Sequence, residues 1–285
     1  MCTVIAFLCS WNETRKTDLI SLLPLLLFLF VCGYQVETHP FWLGLVAQTR
    51  EAATDLGIDL RLHLQEPLDD EAIIFAKMSN KIISLCREGV HGIVVSIPSQ
   101  AIVPALQECM DLQVPIMSVN SGAEIAVEIG MMHHIGQIEY NAGYEAGDRM
   151  IALGMTQAMC PHESGNIGLV MRCSGFRDAI TNATAAGVNV QFLGMPVLSV
   201  GGFDYATVYI KTVEDEVARL NATWDGLGVL LGASMFVDYS LVLKERYPRI
   251  LIGTFDKEQI VYDTIASGDV LFGIDQVRSL IDLIL

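Results

Sequence analysis

Short apolar runs alternate with stretches of helical apolar spacing from Tyr34 to the end of the 285-residue chain. The clearest helical stripe, which Gly89 ends, consists of Ile74, Met78, Ile82 and Leu85. The apolar run 92–97 comes next, and Pro98 stops it as a strand. Strands that alternate with helices of about 10–15 residues indicate parallel sheets with right-handed crossovers. The pattern therefore predicts an α/β fold.

The segment from Asn120 to Met131 interrupts this rhythm, which then restarts. Further strands are predicted near 134–136, 167–170, 188–193, 227–231, 250–254 and 270–274. Helices are predicted between them, near 141–153, 175–186, 205–220, 236–246 and 257–267. Two series with one interruption predict two similar Rossmann-like lobes. We place the N-terminal lobe at 34–121, the C-terminal lobe at 122–275, and the start of a return into the first lobe at 276–285.

The N-terminal region 1–33 allows more than one interpretation. Arg15 and Lys16 precede an apolar run, 19–32, whose length of about 14 residues suits the apolar core of a signal peptide and is short for a membrane span. A buried first strand over 27–35 is the alternative. We therefore treat 1–33 as a candidate signal peptide or membrane anchor. The protein is expected to be secreted, periplasmic or extracellular. Anchoring to a membrane through residues 19–32 is the alternative.

Charge and cysteine spacing narrow the classes of function. The 33 acidic residues outnumber the 17 basic ones, and the net charge of −16 argues against nucleic acid and anionic membranes as partners. None of the seven cysteines forms a C-x-x-C pair, which argues against zinc and thioredoxin-type sites. Cys160 and Cys173 would be bridged in a secreted chain or be isolated buried thiols. Three sequons, at Asn12, Asn182 and Asn221, permit glycosylation if a eukaryote secretes the chain.

Polar and aromatic residues follow the predicted strands, where parallel sheets bind ligands. The candidate ligand-binding residues are Phe41, Trp42, Ser96, Glu139, Asn141, Arg172, Ser234, Phe255, Asp256 and Gln276. Aromatic rings offer flat apolar faces, and the polar groups include both donors and acceptors of hydrogen bonds. A neutral polyol, with C–H faces and a rim of hydroxyls, matches this mixture.

Several of these residues also have purely structural interpretations. Phe41 and Trp42 would serve as a hydrophobic staple at a helix start, and Asp256 as a helix N-cap. Arg172 would pair with Glu163 or Asp178.

Other chemistries find little support in the sequence. The chain has no phosphate loop, nucleophile elbow or H-E-x-x-H motif. His133 and His134 are neighbours on a strand and point to opposite faces, so they do not share a metal. We predict no catalytic residue, no metal site and no cofactor.

An ordered series of segments resembles a known family. These segments are Pro40-Phe-Trp, VHGIVVSIP (90–98), VPIMSVNSG (114–122), IGQIEYNAG (135–143), Arg172-Cys-Ser-Gly-Phe, GTFD (253–256) and FGIDQ (272–276). Their order resembles that of the type 1 periplasmic binding proteins, in particular the ribose- and galactose-binding branch. The resemblance covers about residues 34–280.

The resemblance implies two lobes joined by a hinge that close around a sugar. By analogy, Phe41 and Trp42 would face the sugar ring and Phe255 would close its other side. Arg172, Asp256 and Gln276 would bond its hydroxyls. Weaker and more variable contacts would come from Ser96, Glu139, Asn141 and Ser234.

Two features depart from the family pattern. Ser96-Ile-Pro-Ser stands where relatives often have Asp-Arg or Asn after the third strand. The chain stops at Leu285, inside a helix that should help to complete the first lobe. We therefore expect a truncated first lobe with exposed apolar surface, which predicts reduced stability or association with another chain.

The favoured hypothesis is a non-catalytic module that binds a small sugar or polyol such as ribose, galactose, xylose or an inositol. A receptor ectodomain or regulator core of the same fold is the alternative, and an α/β enzyme comes third. A membrane transporter or receptor is the expected protein partner, nucleic acid is not, and the expected state is a monomer or weak oligomer.

Overall fold

The computed structural model describes residues 26–31, 40–55, 57–64, 71–163, 165–198 and 205–276. These residues divide into two compact units. The first unit contains the described residues of 1–68 and 72–136, and the second contains 137–276 together with Glu71. Each unit has a five-stranded parallel sheet. The predicted α/β class is confirmed.

The sheet of the first unit has the strand order β2-β1-β3-β4-β5. Its strands are β1 (Leu26–Val31), β2 (Asp59–Leu64), β3 (Gly92–Val95), β4 (Ile116–Val119) and β5 (His133–Ile135). Its helices are α1 (Pro40–Asp55), α2 (Glu71–Glu88), α3 (Val103–Asp111) and α4 (Ala123–Glu128). The predicted stripe of α2 is buried along its whole length, because one face of an amphipathic helix covers the sheet.

Strand β1 belongs to the apolar run that the sequence left open. It pairs with β2 on one side and β3 on the other, with Leu29 opposite Leu62 and Val94. The strand interpretation therefore holds for Leu26–Val31, and the lobe boundary predicted at 34 lies too late. The rest of 1–33 lies outside the described residues. So do residues 277–285, on which the predicted truncation of the first lobe depends. Among the described residues, no helix is long and apolar enough to cross a membrane.

The interruption near residue 121 is not the boundary between the units. It contains α4, and β5 then pairs with β4 through Met117 and His133. Residues 122–136 therefore belong to the first unit, and the boundary predicted between 121 and 122 is wrong. A helix of six residues and a strand of three are too short to show a period, which is why the pattern did not reveal them.

The sheet of the second unit has the strand order β12-β11-β10-β6-β8, and β7 and β9 form a small separate sheet. Its strands are β6 (Gln157–Met159), β7 (His162–Glu163), β8 (Gln191–Gly194), β9 (Val197–Leu198), β10 (Leu227–Leu230), β11 (Leu251–Phe255) and β12 (Phe272–Ile274). Its helices are α5 (Glu139–Ala152), α6 (Ile167–Ala185), α7 (Tyr205–Arg219), α8 (Val237–Arg246) and α9 (Gln259–Ser267).

The strand predicted at 167–170 is wrong, because these residues form the first turn of α6. Asn166 caps this helix: its side chain accepts hydrogen bonds from the amides of Gly168 and Leu169 at 3.1 and 3.3 Å. A short apolar run does not distinguish a strand from a buried helix start. As a result, Arg172 lies on a helix and not after a strand.

In the described part of the chain, two disulfides connect separate elements. Cys86 in α2 is bonded to Cys109 in α3, and Cys160, directly after β6, is bonded to Cys173 in α6. All four cysteines are buried. The sequence considered the second pair only as one of two alternatives, and it did not indicate the first.

Candidate functional site

Three predicted residues meet at the carboxyl edge of the second sheet. The backbone amide and Oγ of Ser234 donate to Oδ2 of Asp256 at 3.0 and 2.9 Å, and Nε2 of Gln276 donates to Oδ1 of the same carboxylate. All three residues are buried. Strands β10, β11 and β12 are neighbours, so the residues after them necessarily lie close together.

Asp256 adopts an unusual backbone conformation. Its φ of 77° lies in the left-handed region, which non-glycine residues seldom occupy. Such a conformation persists where surrounding contacts fix it, and it is frequent at functional sites. Helix α9 begins at Gln259 with Glu258 at its N-cap, so Asp256 is not the cap that its position suggested.

Arg172 forms a buried ion pair with Glu139. Its Nε and Nη2 donate to the two carboxylate oxygens of Glu139 at 2.5 and 3.0 Å, and its Nη1 donates to the carbonyl of Gly232. The exposed fractions of the Arg172 and Glu139 side chains are 5% and 1%. Glu139 lies in the first turn of α5, where the helix dipole favours a negative charge. The partners considered from the sequence, Glu163 and Asp178, are both wrong.

The arginine keeps part of its donor capacity. A guanidinium has five N–H groups, and the contacts among the described residues use three of those of Arg172. Its Cζ lies 4.3 Å from the ring centroid of Phe255, a cation–π contact. Phe255 is fully buried, so its ring supports the arginine from the core, and its contact with a ligand stays a prediction.

These contacts form one connected group, which we call the polar cluster. It consists of Glu139, Arg172, Ser234, Asp256 and Gln276. Gly232 and Ser234 lie on one loop, and Phe255 adjoins Asp256, so the ion pair and the Asp256 network are linked through adjacent backbone. Sequence reasoning missed Glu258, whose Oε2 lies 2.6 Å from Oγ of Ser234, so this carboxylate and that of Asp256 share the single hydroxyl proton of Ser234. Its place two residues after Asp256, at the start of α9, was the available signal.

The predicted residues outside the polar cluster are placed differently. Ser96, in the first unit, is buried, with its Oγ 3.1 Å from Oγ of Ser121. Trp42 is 8% exposed and packs with Leu45 and Val119 in a core cluster of the first unit, and its contact with a ligand stays a prediction.

Two further predictions concern Phe41 and Asn141. Phe41 lies in α1, and its side chain is outside the described part of the structure. Asn141 is exposed on α5, two residues beyond Glu139, where a helix turns its side chain to another face. The structure does not bring Asn141 to the polar cluster.

Asp178 and His162, two titratable groups of the second unit outside the polar cluster, have lowered pKa values. Asp178 accepts from Nε of Arg177 and from the hydroxyl of Tyr140, each at 2.8 Å, and the bond from Arg177 is the main cause of its lowered pKa. Burial lowers the pKa of His162 below its ordinary value of 6.5. Within the described ranges, no group of three or more His, Cys, Asp or Glu side chains could hold a metal ion.

A separate polar pocket of about 540 Å³ lies at the amino ends of β6 and β8. Gln157, Asn189, Gln191 and Asn221 contribute to its lining. The pocket contains none of the predicted ligand-binding residues. Because the amino ends of the strands lie opposite to their carboxyl ends, this pocket is at the edge of the sheet away from the polar cluster.

Several solved structures have a fold similar to that of this chain. The ABC sugar transporter (periplasmic sugar-binding protein) of Legionella pneumophila matches with a TM-score of 0.71 and 21% identity over 89% of each chain. A carbohydrate transporter from Acidothermus cellulolyticus 11B, in complex with myo-inositol, matches with a TM-score of 0.70 and 20% identity over 90% of this chain and 82% of its own.

A third structure has a similar likeness. It is an ABC transporter periplasmic solute-binding protein from Actinobacillus succinogenes 130z with bound D-allose, and it matches with a TM-score of 0.67 and 16% identity over 90% of this chain and 86% of its own. At these identities the likeness shows the fold. No curated protein matches the sequence.

The family comparison agrees with the order of segments noted in the sequence. Residues 29–197, more than half of the chain, match the sequence model described as periplasmic binding proteins and sugar binding domain of the LacI family. The match begins inside β1 and ends in β9, so it includes the first unit and the elements that carry Glu139 and Arg172. The resemblance is thereby confirmed, and the chain belongs to the family of periplasmic binding proteins and LacI-type sugar-binding domains.

Proposed function

We propose that this protein binds a monosaccharide or a related polyol and performs no chemistry on it. The observation that carries the proposal is the polar cluster at the carboxyl edge of the second sheet, where parallel α/β sheets bind ligands. Family membership supports it, as do the similar proteins that hold myo-inositol and D-allose.

The chemistry of the polar cluster suits sugar hydroxyls. Each hydroxyl both donates and accepts a hydrogen bond, so a site needs groups of both kinds. Asp256 is a charged acceptor, the remaining N–H groups of Arg172 are charged donors, and the amide of Gln276 offers both functions. Because Glu139 balances the charge of Arg172 inside the unit, the arginine does not require an anionic ligand. A neutral polyol meets these conditions.

The proposal extends to location and mode of action. In our proposal the protein works in the periplasm or outside the cell and delivers its ligand to a membrane transporter. The two disulfides are consistent with an oxidising compartment. Closure of the two units around the ligand, with Ser96 contributing from the first unit, is part of the proposal. A sensor domain of the same fold is the alternative, and its ligand site would be the same.

A thermal-shift screen of monosaccharides and inositols, followed by calorimetry, tests the proposal. We expect at least one compound to raise the melting temperature. Asp256→Asn should then weaken its binding about 10- to 100-fold, because hydrogen bonds to a charged group contribute about 1.5–3 kcal/mol. The matched control is Asp275→Asn, which removes an exposed carboxylate paired with Lys257.

The control should change the affinity by less than about twofold. A screen in which no sugar or polyol shifts the melting temperature would refute the sugar assignment. Equal effects of the two substitutions would refute the assignment of the site.

A further inference from the structure

The neighbour of Arg172 in the chain is covalently tied to the sheet. Cys173 forms a disulfide with Cys160, the residue that follows β6, and their Cα atoms are 5.5 Å apart. Both cysteines are fully buried. The second turn of α6 is therefore attached to the carboxyl end of β6, at the edge of the sheet where the polar cluster lies.

A second constraint acts on the same stretch of backbone. A Cβ atom at Gly143 of α5 would lie 1.9 Å from the carbonyl oxygen of Arg172, and one at Gly175 of α6 would lie 1.9 Å from that of Tyr140. The two helices touch backbone to backbone at these glycines. Arg172 is thus held by the close contact of α5 with α6 and by the disulfide next to it.

The site depends on where this backbone lies. The guanidinium already bonds Glu139 and Gly232, and two N–H groups remain to meet a ligand. These bonds are directional, and a binding group works best when it is held to within about 0.5 Å of its productive position. A shift of the second turn of α6 would therefore have two effects at once. It would move the free N–H groups of Arg172, and it would disturb the ion pair with Glu139.

We propose that Cys160 and Cys173 are positioning residues of the ligand site. Their disulfide fixes Arg172 in the geometry that binds the ligand, and loss of the bridge weakens ligand binding beyond any effect on stability. This inference rests on the proposed sugar-binding function.

A second disulfide among the described residues provides a matched control. Cys86 and Cys109 join α2 and α3 in the first unit, and both are buried. Their bridge spans 23 residues, whereas that of Cys160 and Cys173 spans 13. A longer closed loop constrains the unfolded chain more. If the Cys160–Cys173 bridge acted only on stability, removing the Cys86–Cys109 bridge should therefore lower stability, and with it ligand binding, at least as much.

Calorimetry on the full chain compares the double variants C160A/C173A and C86A/C109A, using the sugar that gives the largest thermal shift. We expect the first variant to bind about tenfold more weakly and the second to stay within about twofold of the wild type. In an Arg172→Lys background the loss from C160A/C173A should disappear, because the group that the bridge positions is gone. Equal losses in the two double variants, or the same loss in the Arg172→Lys background, would overturn the proposal.

A ligand-free measurement separates this inference from the proposed function. The Nε–H of Arg172 should give a protected NMR signal, assigned by its absence in Arg172→Lys, because it donates to buried Glu139. We expect its hydrogen exchange to accelerate at least about tenfold in C160A/C173A and to be unchanged in C86A/C109A. An unchanged rate in C160A/C173A would overturn the positioning role.

If no sugar binds the wild type, the proposed function fails while this signal still decides the role of the bridge. If C160A/C173A does not fold, C160A/C173V restores part of the buried volume and replaces it in both measurements.

Discussion

At the residue scale, the central feature is a charge pair removed from water. Burying a guanidinium is costly unless a partner compensates it, and Glu139 does so with two hydrogen bonds. The charge of Arg172 is therefore balanced before any ligand arrives. Glu139 lies in α5 and Arg172 lies in α6, so the pair connects two helices across 33 residues of sequence. Such a pair gives Arg172 one defined orientation, which is what a binding residue requires.

The stability of the protein should be sensitive to this pair. Glu139→Gln keeps the size of the side chain and leaves the arginine charge buried without a carboxylate, so we expect the free energy of unfolding to fall by about 3–5 kcal/mol. The exposed pair of Arg87 and Glu108 provides the control, and Glu108→Gln should cost less than about 1 kcal/mol. Urea unfolding followed by circular dichroism measures both. Similar losses would show that burial does not set the strength of the Glu139 pair.

At the element scale, the contact between α5 and α6 determines where Glu139 and Arg172 lie. Gly143 and Gly175 let the two backbones approach, which places Glu139 within reach of Arg172. The sequence identified α5 within two residues but assigned the start of α6 to a strand. The reason is local: the run 167–170 is apolar and short, and its helical state depends on the Asn166 cap and on packing against α5.

A methyl group at the crossing should force the helices apart. We expect Gly143→Ala to lower the free energy of unfolding by about 1–3 kcal/mol, as other overpacking substitutions do. Gly44, inside α1, has nothing within 4 Å of the same atom, so Gly44→Ala should be neutral or stabilise the protein by up to about 1 kcal/mol through helix propensity. Thermal and urea unfolding measure the free energies of unfolding of the two variants. A neutral Gly143→Ala would mean that the crossing tolerates separation.

At the scale of the whole molecule, the first unit is built around a strand from the N-terminal apolar run. Strand β1 has a partner on each side, so it lies inside the sheet and not at its edge. Among the described strands, a chain without β1 would leave β2 with no partner and β3 at the edge of the sheet. The second unit contains its own sheet and its own core clusters, and neither includes a residue from β1.

A shortened chain that begins at residue 34 tests this arrangement. We expect its first unit to lose protection against hydrogen exchange at β2 and β3, because the strand that joins them is missing. The amides of β10, in the second unit, should remain protected and serve as the internal control. Retained protection of β3 in the shortened chain would contradict a central role for β1.

The sequence alone determined the α/β class, the two series of strands and helices, and the meeting of Ser234, Asp256 and Gln276. These follow from local periodicity and from a general property of parallel sheets, whose carboxyl ends share one edge. Packing between distant segments decided the rest. It paired Arg172 with Glu139, buried Trp42 and Phe255, and assigned β5 to the first unit.

The disulfide between Cys86 and Cys109 is another feature that packing between distant segments decided. The position of a residue along the chain gives its neighbours within a helix or strand, but not which residue of another element it will contact. Contacts between elements are set by how helices pack on a sheet and on each other, which no short stretch of sequence records. For this reason the sequence foresaw the members of the polar cluster, whose role in binding stays a prediction, but not the bonds that hold them together.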